Sequence, residues 1–253
     1  MILPRLGNKK KIAKEIQKYF PPHKIYIEPF FGAGGMFFNK PKAKYNIVND
    51  LDSDVFNLFQ CVMNRREELE KAFYLMPIHS DLLEYWKHNQ ETEPIKKALR
   101  FLLLSNFTFL GKMDCLSFGP KNPKKQFYKF FDFTFNFLEN VQFNNTDFRK
   151  FFKSFEIQKN NEKIYFIYCD PPYINTVNKY EEGFNKNDCL DLFNALNKTG
   201  VNWAYSEFNN PFILDQAKTR GLNVHIIGER QNLKNRRTEI LITNYENNQL
   251  KLF

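Results

Sequence analysis

No stretch of the 253 residues approaches the 18 consecutive apolar positions that a membrane-spanning helix needs. The opening residues, Met1-Ile2-Leu3-Pro4-Arg5, run into lysines rather than into the apolar core of a secretory signal, so a cytoplasmic chain is expected. Cysteine is scarce: Cys61, Cys115, Cys169 and Cys189 stand too far apart for a C-x-x-C knuckle, and four scattered histidines add no zinc or haem ligand set. They read as reduced structural thiols. Glycine is limited to 10 positions while Phe reaches 29 and Tyr 12, which makes the apolar share of 43% aromatic and excludes disorder as a description of the whole chain. Acidic residues are also short, 28 against 37 basic ones; the resulting net charge of +9 attracts a polyanion, and nucleic acid is the first partner to test.

The length suits one large domain, or one domain with an insertion. Lys9 to Phe20 places Ile12, Ile16, Tyr19 and Phe20 at helical spacing, and Pro21-Pro22 ends the pattern, so a basic amphipathic helix is expected first. Lys24 to Glu28 reads as a strand, followed by Pro29-Phe30-Phe31-Gly32-Ala33-Gly34-Gly35, whose glycines suit a tight strand-to-helix turn. Tyr45 to Asn49 reads as a second strand closed by Asp50, with Asp52 or Ser53 capping a helix toward Met63. From Asn64 to Asn136 the character changes. Helical patterns at 65–75 and 95–104 lead into turn-like composition at 111–114 and 118–125, and the Phe-rich run from Phe127 to Phe137 suits core packing. The α/β rhythm resumes with the apolar run Ile164 to Asp170, then a helix at 188–196, a strand at 203–205, a helix at 213–218 and strands at 224–227 and 239–243. This alternation predicts an α/β fold with a Rossmann-like, mostly parallel doubly wound sheet. Residues 1–63 and 137–253 are expected to form the catalytic frame, with 64–136 as a mainly helical insertion.

In such sheets ligands lie beyond the carboxyl ends of the strands, where a glycine turn admits the ligand and a later acid binds ribose hydroxyls. Gly32-Ala33-Gly34 and Asp50, 16 positions further on, fit that pattern. Phe37 stands where a dinucleotide fingerprint has its third glycine, which disfavours a pyrophosphate and leaves a nucleoside such as S-adenosylmethionine. Asp170-Pro171-Pro172-Tyr173 follows directly on the apolar strand, and its two prolines fix their φ angles. A rigid carboxylate beside the Pro171 carbonyl suits an exocyclic amino group: both accept its hydrogen bonds and favour a tetrahedral nitrogen that can attack a sulfonium methyl in line. Tyr173 is expected to stack on a base taken out of its duplex.

With these motifs in this order, the chain resembles the Dam-like class of DNA adenine-N6 methyltransferases, the D12 family, over nearly its whole length. Gly7-Asn8-Lys9 resembles the family's N-terminal Gly-x-Lys element and Glu28-Pro29-Phe30-Phe31-Gly32-Ala33-Gly34 its cofactor motif. Asp50-Leu51-Asp52-Ser53-Asp54 is similar to the ribose-binding segment, Asn145-Thr146-Asp147-Phe148 to the element beside the cofactor adenine, and residues 237–245 to the closing basic loop and strand. The resemblance implies a class I methyltransferase fold with a target-recognition insertion, and methyl transfer from S-adenosylmethionine to adenine N6 at a site in double-stranded DNA. It implies catalysis at Asp170, Pro171, Pro172 and Tyr173, and cofactor contacts from Arg5, Lys9, Glu28, Phe31, Gly32, Ala33, Gly34, Asp50, Asp147, Phe148 and Asp170. Three departures stand out: Arg5 in place of a common aromatic, Ser206-Glu207 in place of Ser-Asn, and Phe109 to Met113 in place of the Asn-Gly and arginine pattern of GATC readers. Cytosine-N4 methylation, or a non-catalytic DNA-binding relative, is the alternative.

Basic residues cluster: seven stand among residues 1–24 against the single acid Glu15. Lys121, Lys124, Lys125, Arg236 and Arg237 are expected on a phosphate-contacting rim, and Asn106 and Lys112 among the polar residues of the insertion that read base edges. No metal and no membrane partner are expected, and a monomer is the default.

Overall fold

A computed structural model of the chain describes residues 2–3, 8–108, 115–117, 123–158, 160–174, 183–231 and 236–246. The chain divides into two compact units, one of Met1–Lys9, Gly32–Phe38 and Asp52–Val141 and the other of Lys10–Phe31, Asn39–Leu51 and Gln142–Phe253.

The second unit carries the sheet. Its strands are β1 (Ile25–Glu28), β2 (Tyr45–Asn49), β3 (Val141–Asn144), β4 (Tyr165–Cys169), β5 (Asn202–Phe208), β6 (Asn223–Gln231) and β7 (Arg236–Thr243), in the spatial order β3-β2-β1-β4-β5-β7-β6. β1 runs parallel to β2 and β4, and β4 parallel to β5; β7 is antiparallel to both β5 and β6. The expected mostly parallel α/β sheet is thus present. Side chains alternate between its faces. Ile27, Ile167, Cys169, Trp203, Tyr205, Ile240 and Ile242 point into one buried cluster with Phe148 and Phe151 of α7 (Phe148–Lys153), Leu192, Phe193 and Leu196 of α8 (Lys186–Thr199) and Ile213 and Ala217 of α9 (Pro211–Thr219). Phe166 and Tyr168 point the other way, against Phe20 at 4.5 and 5.4 Å between ring centroids.

The first expected helix is shorter than its apolar spacing suggests. Lys9–Lys11 form a 3₁₀ turn and α1 spans only Ala13–Gln17. Lys18, Tyr19 and Phe20 donate to carbonyls three residues back. Pro21 disfavours the α conformation in the residue before it, so the last turn tightens.

In the first unit, α2 (Ser53–Asn64) packs with α3 (Arg66–Leu75), α5 (Pro94–Asn106) and α6 (Pro123–Leu138), while α4 (Ser80–His88) packs on α5. α2, expected with residues 1–63, falls in this first unit beside α3 to α6. Asp52 caps it as expected, its carboxylate accepting from the backbone N–H of Asp54 at 2.9 Å. Two helices of this unit were not legible in the sequence. α4 starts from His79, whose ring nitrogen accepts from the Leu82 N–H at 3.3 Å, an unusual cap. α6 begins inside the turn-like stretch, with Pro123 in its first turn, where a missing N–H costs nothing. The Phe-rich run does form core: Phe127 and Phe131 are buried against Phe73, at 4.8 and 5.8 Å between ring centroids.

Candidate active site

Because β2, β1 and β4 are adjacent and parallel, their carboxyl ends lie side by side, carrying Asp50, Glu28 and Asp170. Glu28 closes β1 and is only 2% exposed. Tyr26, two residues earlier on the same face, donates its phenol hydrogen to Glu28 Oε2 at 2.8 Å. Burial pushes the Glu28 carboxyl up to about 8; the Tyr26 hydrogen bond opposes this, while the negative charges of Asp170 and Asp50 reinforce it. Lys40 places its ammonium over the Tyr26 ring, 3.9 Å from the centroid, and burial lowers it to about 8 against the pull of Glu28. The corner thus gathers more acid than base.

Asn49, which sequence patterns did not single out, ties the strand ends together. It is buried, and its side-chain amide donates to Pro29 O and Thr146 O, both at 3.0 Å, while its side-chain oxygen accepts from Thr146 N at 3.1 Å. Its backbone carbonyl accepts from Phe31 N at 2.9 Å. The segments after β1, β2 and β3 are thereby pinned to one another. Asn145 adds a bond from its amide to the Asp50 carbonyl at 2.7 Å. Asp147 caps α7 by accepting from Arg149 N at 2.9 Å, and Arg149 also binds Asp188 and Asp191, at 2.5 and 2.7 Å. Phe148 is buried beside Phe30 and Phe184, at 5.6 and 6.1 Å.

Pro171 and Tyr173 are buried and Asp170 half-buried. The Tyr173 hydroxyl donates to Glu239 of β7, and its ring meets Phe208 of β5 edge-on at 4.6 Å. Beside this segment an open cleft of about 370 Å³ is lined by Ile174, Phe208, Asn209, Asn210, Pro211, Arg237 and Thr238. The Arg237 guanidinium lies 5.3 Å from the centre of the Phe208 ring.

In the first unit the glycine turn adopts the backbone only glycine tolerates readily, with φ of +54° at Gly32 and +69° at Gly34. Gly35, read from the sequence only as part of the turn, marks a close approach: a Cβ there would stand 2.3 Å from Asn8 Oδ1 and 2.8 Å from Lys9 N. Asn8 and Lys9 therefore lie against the turn, and Lys9 is 2% exposed. Phe37 is buried against Phe137 at 5.3 Å, so the position of the missing third glycine serves the core.

The expected DNA contacts divide. Arg5, Lys112 and Lys121 lie outside the described residues, as do the side chains of Lys125 and Arg236. Lys124 donates to Tyr74 O at 2.8 Å and Met76 O at 2.5 Å, closing the carboxyl end of α3. Asn106 donates to Leu102 O and Ile2 O, at 3.2 and 3.3 Å. Among the described residues, no group of three or more His, Cys, Asp or Glu is arranged to hold a metal ion, and no helix is long and apolar enough to cross a membrane.

The acids gathered at this strand edge suit a cationic ligand such as the sulfonium of S-adenosylmethionine, and the chain is an S-adenosylmethionine-dependent methyltransferase of Rossmann-like fold. Residues 6–229 match the sequence profile of the D12 class N6 adenine-specific DNA methyltransferases, and the chain belongs to that family. It is 27% identical over 277 residues to the Type II methyltransferase M1.LlaDCHI of Lactococcus lactis subsp. cremoris, covering 95% of this chain and 94% of that one. It is 32% identical over 182 residues to a DNA adenine methylase of Haemophilus influenzae, covering 66% and 61%. Among solved structures, a putative methyltransferase of Streptococcus mutans in complex with SAH superposes with a TM-score of 0.42 at 10% identity, covering 93% of this chain and 97% of that one. Family membership sets the reaction as methylation of the adenine N6 amino group in DNA, and the cytosine-N4 alternative gives way to it.

Proposed function

We propose that the chain methylates adenine at a defined sequence in double-stranded DNA, acting on a base taken out of the helix, with Asp170 at the reacting nitrogen. What supports this reading is the placement of Asp170, Glu28 and Asp50 at the carboxyl ends of the adjacent parallel strands β4, β1 and β2. S-adenosylmethionine, when bound, supplies an electrophilic methyl group. Asp50 holds the ribose, and Glu28 faces the sulfonium. Lys9, Phe31, Gly32, Ala33, Gly34, Asp147 and Phe148 complete the cofactor site. Asp170 and the Pro171 carbonyl accept the two amino hydrogens of adenine, directing the nitrogen lone pair toward the methyl. Asp170 also stabilises the positive charge that grows on that nitrogen as the new N–C bond forms and the methyl–sulfur bond breaks, after which the methylated nitrogen gives up one proton to solvent. Pro171 and Pro172 hold both acceptors still, and Tyr173 flanks the base.

Arg237, in the cleft beside Ile174, contacts the DNA backbone together with Lys121, Lys125 and Arg236, and Lys112 reads base edges. Lys124 and Asn106 are left out of that set, because their polar groups hold the chain's own backbone. The protein acts as a monomer in the cytoplasm beside a restriction system, a reading that the name of its Type II methyltransferase relative supports.

The test is incorporation of labelled methyl groups into unmethylated duplex DNA, followed by mass spectrometry of the nucleosides. Asp170→Ala should lower turnover by about a thousandfold while S-adenosylmethionine and DNA still bind. Turnover like that of the parent would remove Asp170 from the chemistry.

A further inference from the structure

The Asp-Pro-Pro-Tyr segment is held at its far end by two carboxylates that the sequence places more than thirty residues downstream. Glu207 and Glu239 are each 1% exposed. They sit on adjacent antiparallel strands, in the register Glu207↔Ile240 and Phe208↔Glu239. Residues paired across the ladder share a face, so the two glutamates point to opposite faces of the sheet. Glu239 accepts the Tyr173 hydroxyl on one face. Glu207 takes the next residue from the other, accepting Ile174 N at 3.3 Å while bound also by Phe208 N at 2.8 Å and by the Tyr205 hydroxyl at 3.3 Å.

We infer that Glu239 is a positioning residue for methyl transfer, setting the Tyr173 ring through its hydroxyl while Glu207 anchors the backbone one residue on. This rests on the role proposed above for the Asp170 corner. The phenol is a committed donor: burial, with Asp170 and then Glu239 adding to it, holds its pKa far above the ordinary value, so it stays protonated through the working range. The edge-on contact with Phe208 limits how far the ring turns about its long axis, and the hydrogen bond at the hydroxyl fixes where the tip of the ring lies. The ring that flanks the base is thereby fixed before the base arrives, which is how orientation lowers a barrier without adding a chemical group.

The experiment compares Glu239→Gln, Tyr173→Phe and the double variant with the parent, measuring kcat, KM for both substrates, and the fluorescence of 2-aminopurine placed at the target adenine. Glu239→Gln is expected to lower kcat about tenfold or more with the KM for S-adenosylmethionine within about twofold. The second substitution should then add little to Tyr173→Phe, because Glu239 acts through that hydroxyl. Losses that multiply in the double variant, or a kcat equal to the parent's, would overturn the inference. Should Glu239→Gln fail to fold, Tyr173→Phe alone decides: a reduced kcat at unchanged KM supports the inference, and an unchanged kcat overturns it. Asp170→Ala, assayed alongside, separates the two levels. If Asp170→Ala retains turnover, the reaction assignment of the corner fails; if only the Glu239 variants behave like the parent, the positioning role fails and the assignment stands.

Discussion

Replacing Glu28 by glutamine tests the charge balance of the corner. The folded protein holds the Glu28 carboxyl at about 8, against an ordinary 4.5 in the unfolded chain. Between those values the native state keeps a proton that the unfolded state has lost, so this group's contribution is full below pH 4.5 and falls as pH rises through 8. The slope approaches about 1.4 kcal/mol per pH unit, so the loss between pH 5 and pH 8 is on the order of 3 to 4 kcal/mol. His23 and His225, whose pKa values burial lowers, contribute in the opposite sense, but they are present in both proteins and largely cancel in the difference. Denaturant unfolding of parent and Glu28→Gln at pH 5, 6, 7 and 8 therefore should show the parent losing stability relative to the variant as pH rises. A sulfonium beside Glu28 favours the ionised form, so S-adenosylmethionine binding by the parent should release a proton and strengthen by up to about tenfold per pH unit below pH 8, while the variant's affinity stays flat. Stability curves that run parallel across the range would refute the buried, neutral Glu28, and flat cofactor binding by the parent would separate Glu28 from the sulfonium.

Gly35→Ala forces a methyl group against Asn8 and the Lys9 backbone, and should cost about 1–3 kcal/mol and weaken S-adenosylmethionine binding, as thermal unfolding and titration would show; an unchanged Tm would mean the approach is not close. Lys124→Ala removes the ammonium from the end of α3, and should lower stability by about 1 kcal/mol while leaving the salt dependence of DNA binding as it was. Arg237→Ala should do the reverse, weakening binding and reducing the salt slope by about one. If Lys124→Ala flattens the slope instead, its place at the helix end is not its only role.

The parts of the fold legible in the sequence are those set by local pattern. The apolar run from Ile164 contains β4, and Tyr45–Asn49 is β2 to the residue. Asp52 caps α2 because a short carboxylate before a helical stretch satisfies its first N–H groups wherever that helix lies. β5, in contrast, was expected only at 203–205 and runs from Asn202 to Phe208, since Ser206 and Glu207 interrupt the apolar pattern. Both are buried all the same, Ser206 bonded to the Tyr168 hydroxyl at 2.9 Å and Glu207 to Ile174 N. β6 outruns its expected span for a related reason: a bulge between Ile226 and Gly228 breaks the two-residue period by which a strand is recognised.

From residue order alone came the chemistry of the Asp-Pro-Pro-Tyr corner, the glycine turn and the acid that follows it, because each is a short segment whose geometry its own residues dictate. Folding decided which polar side chains are shut away from water and what they bind. Asn49, Lys40, Glu207 and Glu239 carry no local signal, and each takes its role from a partner brought near by strand order, where a buried polar group without a hydrogen bond would be too costly to keep.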